Sequence, residues 1–463
     1  MSTLSSFKWL SSLPLLAMLA GCSPADPETL AGSAEDALES KGTRIAVIGA
    51  GAAGLTAAYT LKKLGYKQVT VFEKEVQVGG KVSTYFYQGR PYEMGAVWIT
   101  NDYSTVKGLV RELGVEKMPA RRLDYMTADG TVLTGPDYLL RSFNPGLFSL
   151  AGINFVMTLI RYAGLNWPGF VGLPRDLHLP LEDFSIKYKF LPLTQSLAAP
   201  MSGCGYGFYK EIPAQYWLKL MPMVVNSFFQ GLIPNQTSLW SFPAGFQHLW
   251  EELAKGLDVR LNSEVTRITR TGQGRGTRIV VTAAGVDHEF DRVILSIPLD
   301  KARLLMQTST QEQDLFGRIR NLRYAVTLAR TNNRAHAGLT GNVTPDRVNH
   351  VNLIGQYYGD TDVSSFYQML DPTISAEDAM RILRDDLVRA GVRIDEVLTQ
   401  KIWTYFPHVT PKDLDEGFYE RLDALQGKQG TYYIGSLLSF ESVEHTASFA
   451  KALVKRFFPF RIH

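Results

Sequence analysis

The sequence predicts an α/β fold in which a domain built on a strand-helix-strand unit is interleaved with a second, mixed α+β domain. Three observations predict it. A strand, a glycine-rich turn, a helix and another strand follow one another between residues 44 and 73, an apolar strand stands near residue 295, and another strand and helix follow residue 430. With 463 residues, of which 45% are hydrophobic and 20% charged, the chain is long enough for two cores.

The first 21 residues have the layout of a lipoprotein signal peptide. One cation, Lys8, precedes an apolar run at 9–20, and small residues stand before Cys22. The letters LAGC resemble a bacterial lipobox, in which the cysteine is lipidated and begins the mature chain. We expect export and lipid anchoring on the periplasmic side of a bacterial membrane, the outer membrane because Ser23 follows. The other interpretation is an uncleaved anchor with a chance cysteine.

Residues 22–43 are rich in Ala, Ser, Pro and acids, which predicts a flexible tether between anchor and body. The formal net charge of +3, without any Lys/Arg block, argues against a nucleic-acid partner.

Cys204 is the one cysteine of the body, so no intramolecular disulfide can form. The ordinary role of such a cysteine is that of a small buried hydrophobe.

The stretch RIAVIGAGAAGL predicts a dinucleotide site at the end of the first strand. Gly49, Gly51 and Gly54 permit a tight turn, close approach of the backbone to a pyrophosphate, and close packing of helix on strand. The helix N-terminus around Ala53 supplies amides and the positive end of a dipole for phosphates. Glu73 follows Gly54 by 19 residues, the spacing of an acid that accepts hydrogen bonds from a ribose.

Two further turns distinguish FAD from NAD as the dinucleotide. They are KEVQVGGKVST and YEMGAVWI, and with the first turn they resemble the flavin-dependent amine oxidase superfamily. The resemblance implies that the paired glycines and lysine of the first motif approach the FAD phosphates and that the other turn runs beside the flavin ring. The residues concerned are Gly79, Gly80, Lys81, Gly95, Ala96 and Val97.

Later segments fit the same resemblance. The stretch around Val265 is similar to the strand pair whose backbone meets the adenine, FDRVILSIPL to the return strand, and residues 431–458 to the closing strand and helix. The resemblance implies cofactor contacts from Gly435, Ser436 and Val443, the last at a second helix N-terminus. Many relatives have an acid where Ser436 stands, which alters one expected hydrogen bond. The closing segment contains no cysteine, so we expect non-covalent FAD.

The predicted domains alternate along the chain. Residues 44–115, 236–299 and 406–463 are expected to build a Rossmann-like, amine oxidase-type FAD-binding domain, and 116–235 and 300–405 a mixed α+β substrate domain. Ligands should lie in the crevice between the two domains.

Two apolar stretches of the substrate domain allow two interpretations each. Residues 142–160 carry no charge, but Pro145 and several glycines interrupt them, which argues against a transmembrane span. They fit a buried helix, or a helix that lines a lipid tunnel or dips into the bilayer surface. Residues 204–234 fit plain core or a long apolar pocket. In the pocket interpretation the wall residues are Tyr206, Phe208, Phe228 and Phe229.

The segment from 403 to 458, the GYG at 205–207 and the YEMGA at 92–96 are similar to the FAD-dependent polyunsaturated fatty acid (linoleate) isomerases. The resemblance implies a free fatty acid substrate whose methylene-interrupted double bonds become conjugated. A hydride would pass from the bis-allylic carbon to flavin N5 and return at another carbon. The protein would then have to hold the chain and exclude water and oxygen.

Arg121 and Arg122 offer cations for the fatty acid carboxylate, and Arg122 is the better match to a paired arginine of the isomerases. The other interpretation is two solvated charges before a turn. Phe229 aligns with a pocket aromatic of the isomerases, whereas Cys204 stands where an aromatic is expected.

Two other functions stay open: an FAD-dependent oxidase or dehydrogenase of amines or other small reduced substrates, and a lipid-binding lipoprotein that keeps the flavin fold for structure.

The sequence has no serine-nucleophile constellation and no metal-ligand spacing among its eight histidines. We expect His408 and His445 to be structural or surface groups, with His445 nearer to the flavin.

Overall fold

The computed structural model describes residues 42–120, 123–126, 131–134, 145–231, 237–272, 276–332, 338–342, 347–389 and 391–458. The α-helices are α1 (Ala52–Lys63), α2 (Ser104–Leu113), α3 (Pro145–Arg161), α4 (Leu181–Lys187), α5 (Leu191–Gly203), α6 (Ala214–Gly231), α7 (Gln247–Ala254), α8 (Leu299–Ala302), α9 (Thr310–Gly317), α10 (Ala376–Arg389), α11 (Pro411–Asp415), α12 (Phe418–Asp423), α13 (Ser436–Ser439) and α14 (Val443–Phe457). Short 3₁₀ helices span Ala163–Asn166, Arg175–His178 and Lys428–Gly430.

The strands are β1 (Arg44–Ile48), β2 (Gln68–Phe72), β3 (Thr84–Tyr87), β4 (Arg90–Glu93), β5 (Ile99–Thr100), β6 (Met118–Pro119), β7 (Leu123–Met126), β8 (Val132–Thr134), β9 (Leu239–Ser241), β10 (Asp258–Arg260), β11 (Val265–Thr271), β12 (Arg278–Ala283), β13 (Val286–Phe290), β14 (Arg292–Leu295), β15 (Arg320–Thr331), β16 (Gly338–Asn342), β17 (Val351–Gln356), β18 (Val363–Leu370), β19 (Ile394–His408) and β20 (Thr431–Tyr433).

A parallel sheet of five strands, in the order β10-β2-β1-β14-β20, is the centre of the first domain. Ile45 and Val47 of β1 point into a core shared with helices α1, α2, α7 and α14. Ala46 and Ile48 point into the opposite core, which they share with the antiparallel meander β11-β12-β13. Burial on both faces explains why β1 is apolar throughout its centre instead of alternating. The predicted α/β class and strand-helix-strand unit are confirmed.

A mixed sheet of seven strands, in the order β19-β15-β18-β17-β16-β7-β8, is the centre of the second domain. Its pairs are antiparallel except β16 with β7. Alternate residues of β15 face opposite sides, so Tyr324 and Val326 join one core. Ala325 and Ala329 join smaller clusters that pack against α10. One face of this sheet is therefore covered by a helix, and the other is turned towards the first domain.

The apolar stretch around residues 142–160 forms α3, which is apolar on its exposed face as well as on its buried face. One face packs into the core, as a helix with a single neighbouring layer must. The opposite face exposes Leu150, Ile153, Met157 and Ile160, by 57%, 59%, 57% and 36%. The buried-helix interpretation is therefore wrong for this face. Within the residues that the structure describes, no helix is long and apolar enough to cross a membrane.

Candidate active site

A cavity of about 1320 Å³ opens where four parallel strands, β1, β2, β14 and β20, end. Ligands of open α/β sheets bind at the carboxyl ends of the strands. Strands β15 and β19 of the second sheet and helices α5 and α6 form the other walls. The volume exceeds the 300–1,000 Å³ of an ordinary small-molecule pocket, so the cavity has room for a dinucleotide and a second ligand.

The predicted cofactor residues meet in this cavity, except for two. The lining includes Gly49, Gly51, Ala53, Glu73, Gly79, Gly80, Lys81, Gly95, Ala96, Val97, Gly435, Ser436 and Val443. We call this the glycine-lined part. Gly54 lies behind it in the first turn of α1, and Val265 is buried at the start of β11.

The glycine-lined part is packed too closely for side chains at several positions. A β-carbon at Gly54 would lie 2.0 Å from the Gly49 carbonyl oxygen, and one at Gly95 would lie 1.9 Å from the Lys81 carbonyl oxygen. Gly51 caps α1 without any side-chain hydrogen bond to the first turn. The first-turn amides of α1 therefore face the cavity without a capping side chain, and the residues present fit the phosphates of a dinucleotide.

Glu73 is held in position by the backbone around it. Its Oε2 accepts a hydrogen bond from the Ala50 amide at 2.8 Å, and its Oε1 accepts one from the Glu75 amide at 3.0 Å. Each carboxylate oxygen can accept a second hydrogen bond. Hydrogen bonding of Glu73 to the ribose stays a prediction that this geometry permits.

Lys81 lines the cavity with a partner that the sequence did not reveal. Its Nζ donates to both carboxylate oxygens of Glu441, at 2.9 and 2.8 Å, and lies 5.1 Å from the centre of the Tyr405 ring. Glu441 also accepts a hydrogen bond from the Phe406 amide at 2.9 Å. This one carboxylate therefore connects the second glycine turn, the end of β19 and the closing segment.

A stack of tyrosines forms the wall opposite the glycine turns. The rings of Tyr405 and Tyr324 are stacked with centres 4.9 Å apart, and Tyr206 follows 6.3 Å from Tyr405. The Tyr324 hydroxyl donates to the Gly203 carbonyl. Burial raises the pKa of all three hydroxyls well above the ordinary range, so they stay protonated at neutral pH. Only Tyr206 among the three was predicted as a wall residue.

Helices α5 and α6 supply an apolar part of the cavity. Apart from Ser227, the residues of α5 and α6 that line it are apolar: Leu197, Pro200, Met201, Leu220, Met223 and Val224. Charged side chains line the cavity elsewhere, at Glu73, Lys74, Glu75, Lys81, Asp300, Lys401 and Glu441. Within the described lining, α5 and α6 contribute no charge, so this part suits a hydrocarbon ligand.

Cys204 lines the cavity, and burial raises the pKa of its thiol to about 12. Phe208 packs into the tyrosine-rich core of the second sheet and does not line the cavity. Phe228 and Phe229 lie on α6, but their side chains are outside the described residues, as are Arg121, Arg122 and Cys22.

The described chain reaches the cavity edge just before the two arginines. The Ala120 amide donates to the Leu239 carbonyl at 2.9 Å, and Leu239 lines the cavity. Position 121 follows directly.

The sequence profile of the family described as flavin containing amine oxidoreductase matches residues 52–329, more than half of the chain. The chain belongs to this family. Membership implies FAD as the cofactor, and the expected amine oxidase-type fold is confirmed.

Relatives of this flavin-containing amine oxidoreductase include fatty acid isomerases. The crystal structure of the CLA-producing fatty acid isomerase from P. acnes superposes with a TM-score of 0.82 at 27% identity, covering 91% of this chain and 100% of that one. The polyenoic fatty acid isomerase of Ptilota filicina is 23% identical, over 89% of this chain and 95% of its own length. The expected resemblance to the isomerases is confirmed. Cyclohexylamine oxidase from Brevibacterium oxydans IH-35A shares the fold, with a TM-score of 0.64 at 15% identity, over 90% of this chain and 98% of that one.

The two histidines singled out in this amine oxidoreductase are held by neighbouring groups. His445 is buried, its Nδ1 lies 2.7 Å from the Ser442 hydroxyl, and burial lowers its pKa to about 3, so the ring is neutral. His408 has Nδ1 2.9 Å from the Phe406 carbonyl oxygen, and burial lowers its pKa. Neither histidine lines the cavity.

Glu93, in the YEMGA motif of this amine oxidoreductase, is a buried acid beside the second glycine turn. It accepts hydrogen bonds from the Phe246 amide and the Thr84 hydroxyl, both at 2.8 Å. Burial without a cation raises the pKa of Glu93 from 4.5 to about 8. The folded protein therefore keeps this proton at neutral pH, whereas the unfolded chain releases it.

Glu93→Gln is expected to remove a pH-dependent loss of stability. A raised folded-state pKa means that the contribution of Glu93 is fully present below pH 4.5 and is lost as pH rises towards 8. Between the two ends of this pH window, the free energy of unfolding of the variant should rise relative to that of the parent by on the order of 3 kcal/mol. Thermal midpoints at pH 5 and pH 8 measure the gain, with the exposed acid variant Glu377→Gln as control. A gap between Glu93→Gln and parent that does not change with pH would contradict the assignment.

Proposed function

We propose that this enzyme isomerises unsaturated fatty acids, bringing methylene-interrupted double bonds into conjugation without net oxidation. The observation that carries the proposal is the uncharged wall of α5 and α6, which continues into the glycine-lined part of the same cavity. A hydrocarbon chain matches such a wall, whereas a protonated amine there would lack a partner. The likeness to two fatty acid isomerases supports the same substrate class.

The residues of this chain have to hold the substrate and keep water out. When bound, FAD supplies a hydride acceptor at N5 that works reversibly, which permits removal of a bis-allylic hydride and its return at another carbon. Met201 and Val224 contact the acyl chain, and the Tyr405 and Tyr206 rings close the wall against water. The reaction conserves all atoms and needs no strong acid or base, in keeping with tyrosines that stay protonated.

The attachment of the two ligands belongs to the same proposal. FAD is held non-covalently, for which the support is a closing segment without cysteine. The fatty acid carboxylate pairs with Arg122, or with Arg121 beside it, for which the support is the contact of Ala120 with a cavity-lining residue. The lipid anchor at Cys22 and export to the periplasmic side rest on the N-terminal sequence, and they place the enzyme where acyl chains partition.

Linoleate added to the purified holoprotein under anaerobic conditions is expected to give a conjugated diene, seen as a new ultraviolet absorbance. Oleate, which lacks a bis-allylic carbon, is the matched control and should give no signal. In air, linoleate should still give the diene without peroxide. Peroxide formed from amines, together with no diene from linoleate, would identify an amine oxidase and overturn the proposal.

A further inference from the structure

A row of large apolar side chains lies exposed along α3, away from the active site. The row, called the α3 stripe from here on, consists of Leu150, Ile153, Met157 and Ile160. Spacings of three and four residues place all four on one helix face. Single exposed apolar residues are ordinary, but a contiguous row marks a surface that contacts another phase or molecule.

Cations border the α3 stripe. Arg161 ends α3, and the helix contains no acidic residue. The Asn154 side chain donates to the Lys189 carbonyl at 3.1 Å, which places the end of α4 alongside. Lys187 there is paired with Asp176 at 3.0 Å. In the part of the chain that the structure describes, Arg161 and Lys189 have no acidic partner at ion-pair distance.

We infer that the α3 stripe docks on an anionic phospholipid bilayer, with α3 lying in the plane of the surface. An apolar face bordered by cations is the pattern of an interfacial helix. The 17 residues of α3 span about 25 Å, short of the roughly 30 Å of a hydrocarbon core, so the helix lies on the bilayer and does not cross it. The exposed Trp167, just beyond α3, is a residue type that favours the membrane interface.

Charge distinguishes the bilayer from a second copy of the chain. In a twofold dimer through the α3 stripe, the α3 helix of the second copy would offer the cationic border no acidic partner, because α3 contains no acid. An anionic surface pairs with that border instead. The docking does not depend on the proposed reaction. It is also compatible with an anchor at Cys22, because the 20 residues from there to Gly42 can reach up to about 70 Å.

Flotation with vesicles of phosphatidylglycerol and phosphatidylethanolamine tests the inference in the full chain carrying Cys22→Ser, which removes the acyl anchor. Ile153→Glu/Met157→Glu should weaken vesicle binding at least about tenfold, because apolar contact is lost and negative charge faces anionic lipid. The matched control is Leu304→Glu/Val388→Glu, at apolar positions that are 72% and 67% exposed elsewhere on the molecule. The control should bind as the parent does, and both double variants should keep the parent's thermal midpoint.

A fluorescent probe gives a second measurement that does not depend on residues 1–21. An environment-sensitive dye on Met157→Cys should shift to the blue when vesicles are added, and the same dye on Val388→Cys should not. Equal vesicle binding by the two double variants, or no shift at position 157, would overturn the inference. A parent dimer that Ile153→Glu/Met157→Glu dissociates would show instead that the α3 stripe joins two copies. Diene formation from micellar linoleate tests the reaction separately, because it needs no bilayer.

Discussion

Gly54→Ala is expected to give a protein that does not retain FAD. The added β-carbon would lie 2.0 Å from the Gly49 carbonyl oxygen. That oxygen belongs to the backbone, so it cannot move aside as the end of a flexible side chain could. Helix α1 would have to shift away from β1 and carry the first glycine turn with it. We expect a loss of at least about 3 kcal/mol of stability and a more than tenfold fall in FAD affinity. Flavin absorbance per polypeptide and the thermal midpoint with added FAD measure both effects.

Gly108→Ala is the matched control for this change. Gly108 also lies inside a helix, α2, but a β-carbon there meets nothing within 4 Å. Alanine should therefore stabilise the helix by about 0.5–1 kcal/mol and leave flavin content unchanged. If the two variants retained equal amounts of FAD, the close packing of α1 on the first turn would not be what positions the cofactor.

Glu441→Ala is expected to cost about 2–4 kcal/mol of stability, because it leaves two partners without an acceptor. The Phe406 amide and the Lys81 ammonium both donate to this carboxylate. Phe406 also has a φ of 48°, a left-handed conformation that a non-glycine residue adopts only with support from its surroundings. Loss of the carboxylate should therefore disturb the turn beside Tyr405 and lower FAD affinity. Urea unfolding and flavin titration measure the two effects.

Two further variants separate the charge of Glu441 from its hydrogen bond to the backbone. Glu441→Gln keeps an acceptor for the Phe406 amide and loses only the charge, so it should be less damaging than alanine. Lys81→Met combined with Glu441→Ala should recover part of the loss, because the unpaired cation is gone. An alanine variant as stable as the parent would show that Glu441 does not hold these segments together.

The glycine-lined part of the site could be predicted from sequence because the backbone itself forms it. A tight turn, a close approach of chains and a helix N-terminus each require glycine at fixed spacing, so the positions from Gly49 to Gly54 can be read without knowing the rest of the fold. Gly79 and Gly80 were predicted from the resemblance to the amine oxidase superfamily, not from spacing alone. In the first turn, the contact that excludes a side chain joins Gly54 to Gly49, five residues earlier in the chain, so a local sequence motif is enough to reveal it.

The tyrosine wall and the Lys81–Glu441 pair could not be predicted in this way. Tyr324 and Tyr405 meet because β15 and β19 pair in one particular antiparallel register, with Leu322 opposite Tyr405. Alternation along a strand shows which residues share a face, but it does not give the register between distant strands. Glu441 and Lys81 are 360 residues apart in the sequence, and no spacing in the sequence signals their contact.

For a similar reason, the sequence could not predict which side of α3 faces solvent. The stretch is apolar on every side, so its pattern could not show which face packs on a neighbour. The elements that pack against α3 determine which face is buried, because the core covers one face and leaves the α3 stripe exposed.

The order of strands in the parallel sheet has a consequence for how the chain folds. β1 lies beside β14, pairing Ile45 with Arg292, and β14 lies beside β20, pairing Val293 with Thr431. Contacts between such distant segments give a high contact order, and closing these loops delays folding. A ribosome must synthesise residues 431–433 before the sheet has its last strand. We therefore expect stable flavin binding only after Gly435, just beyond that strand, has been synthesised, and until then β14 has an unpaired edge that favours aggregation.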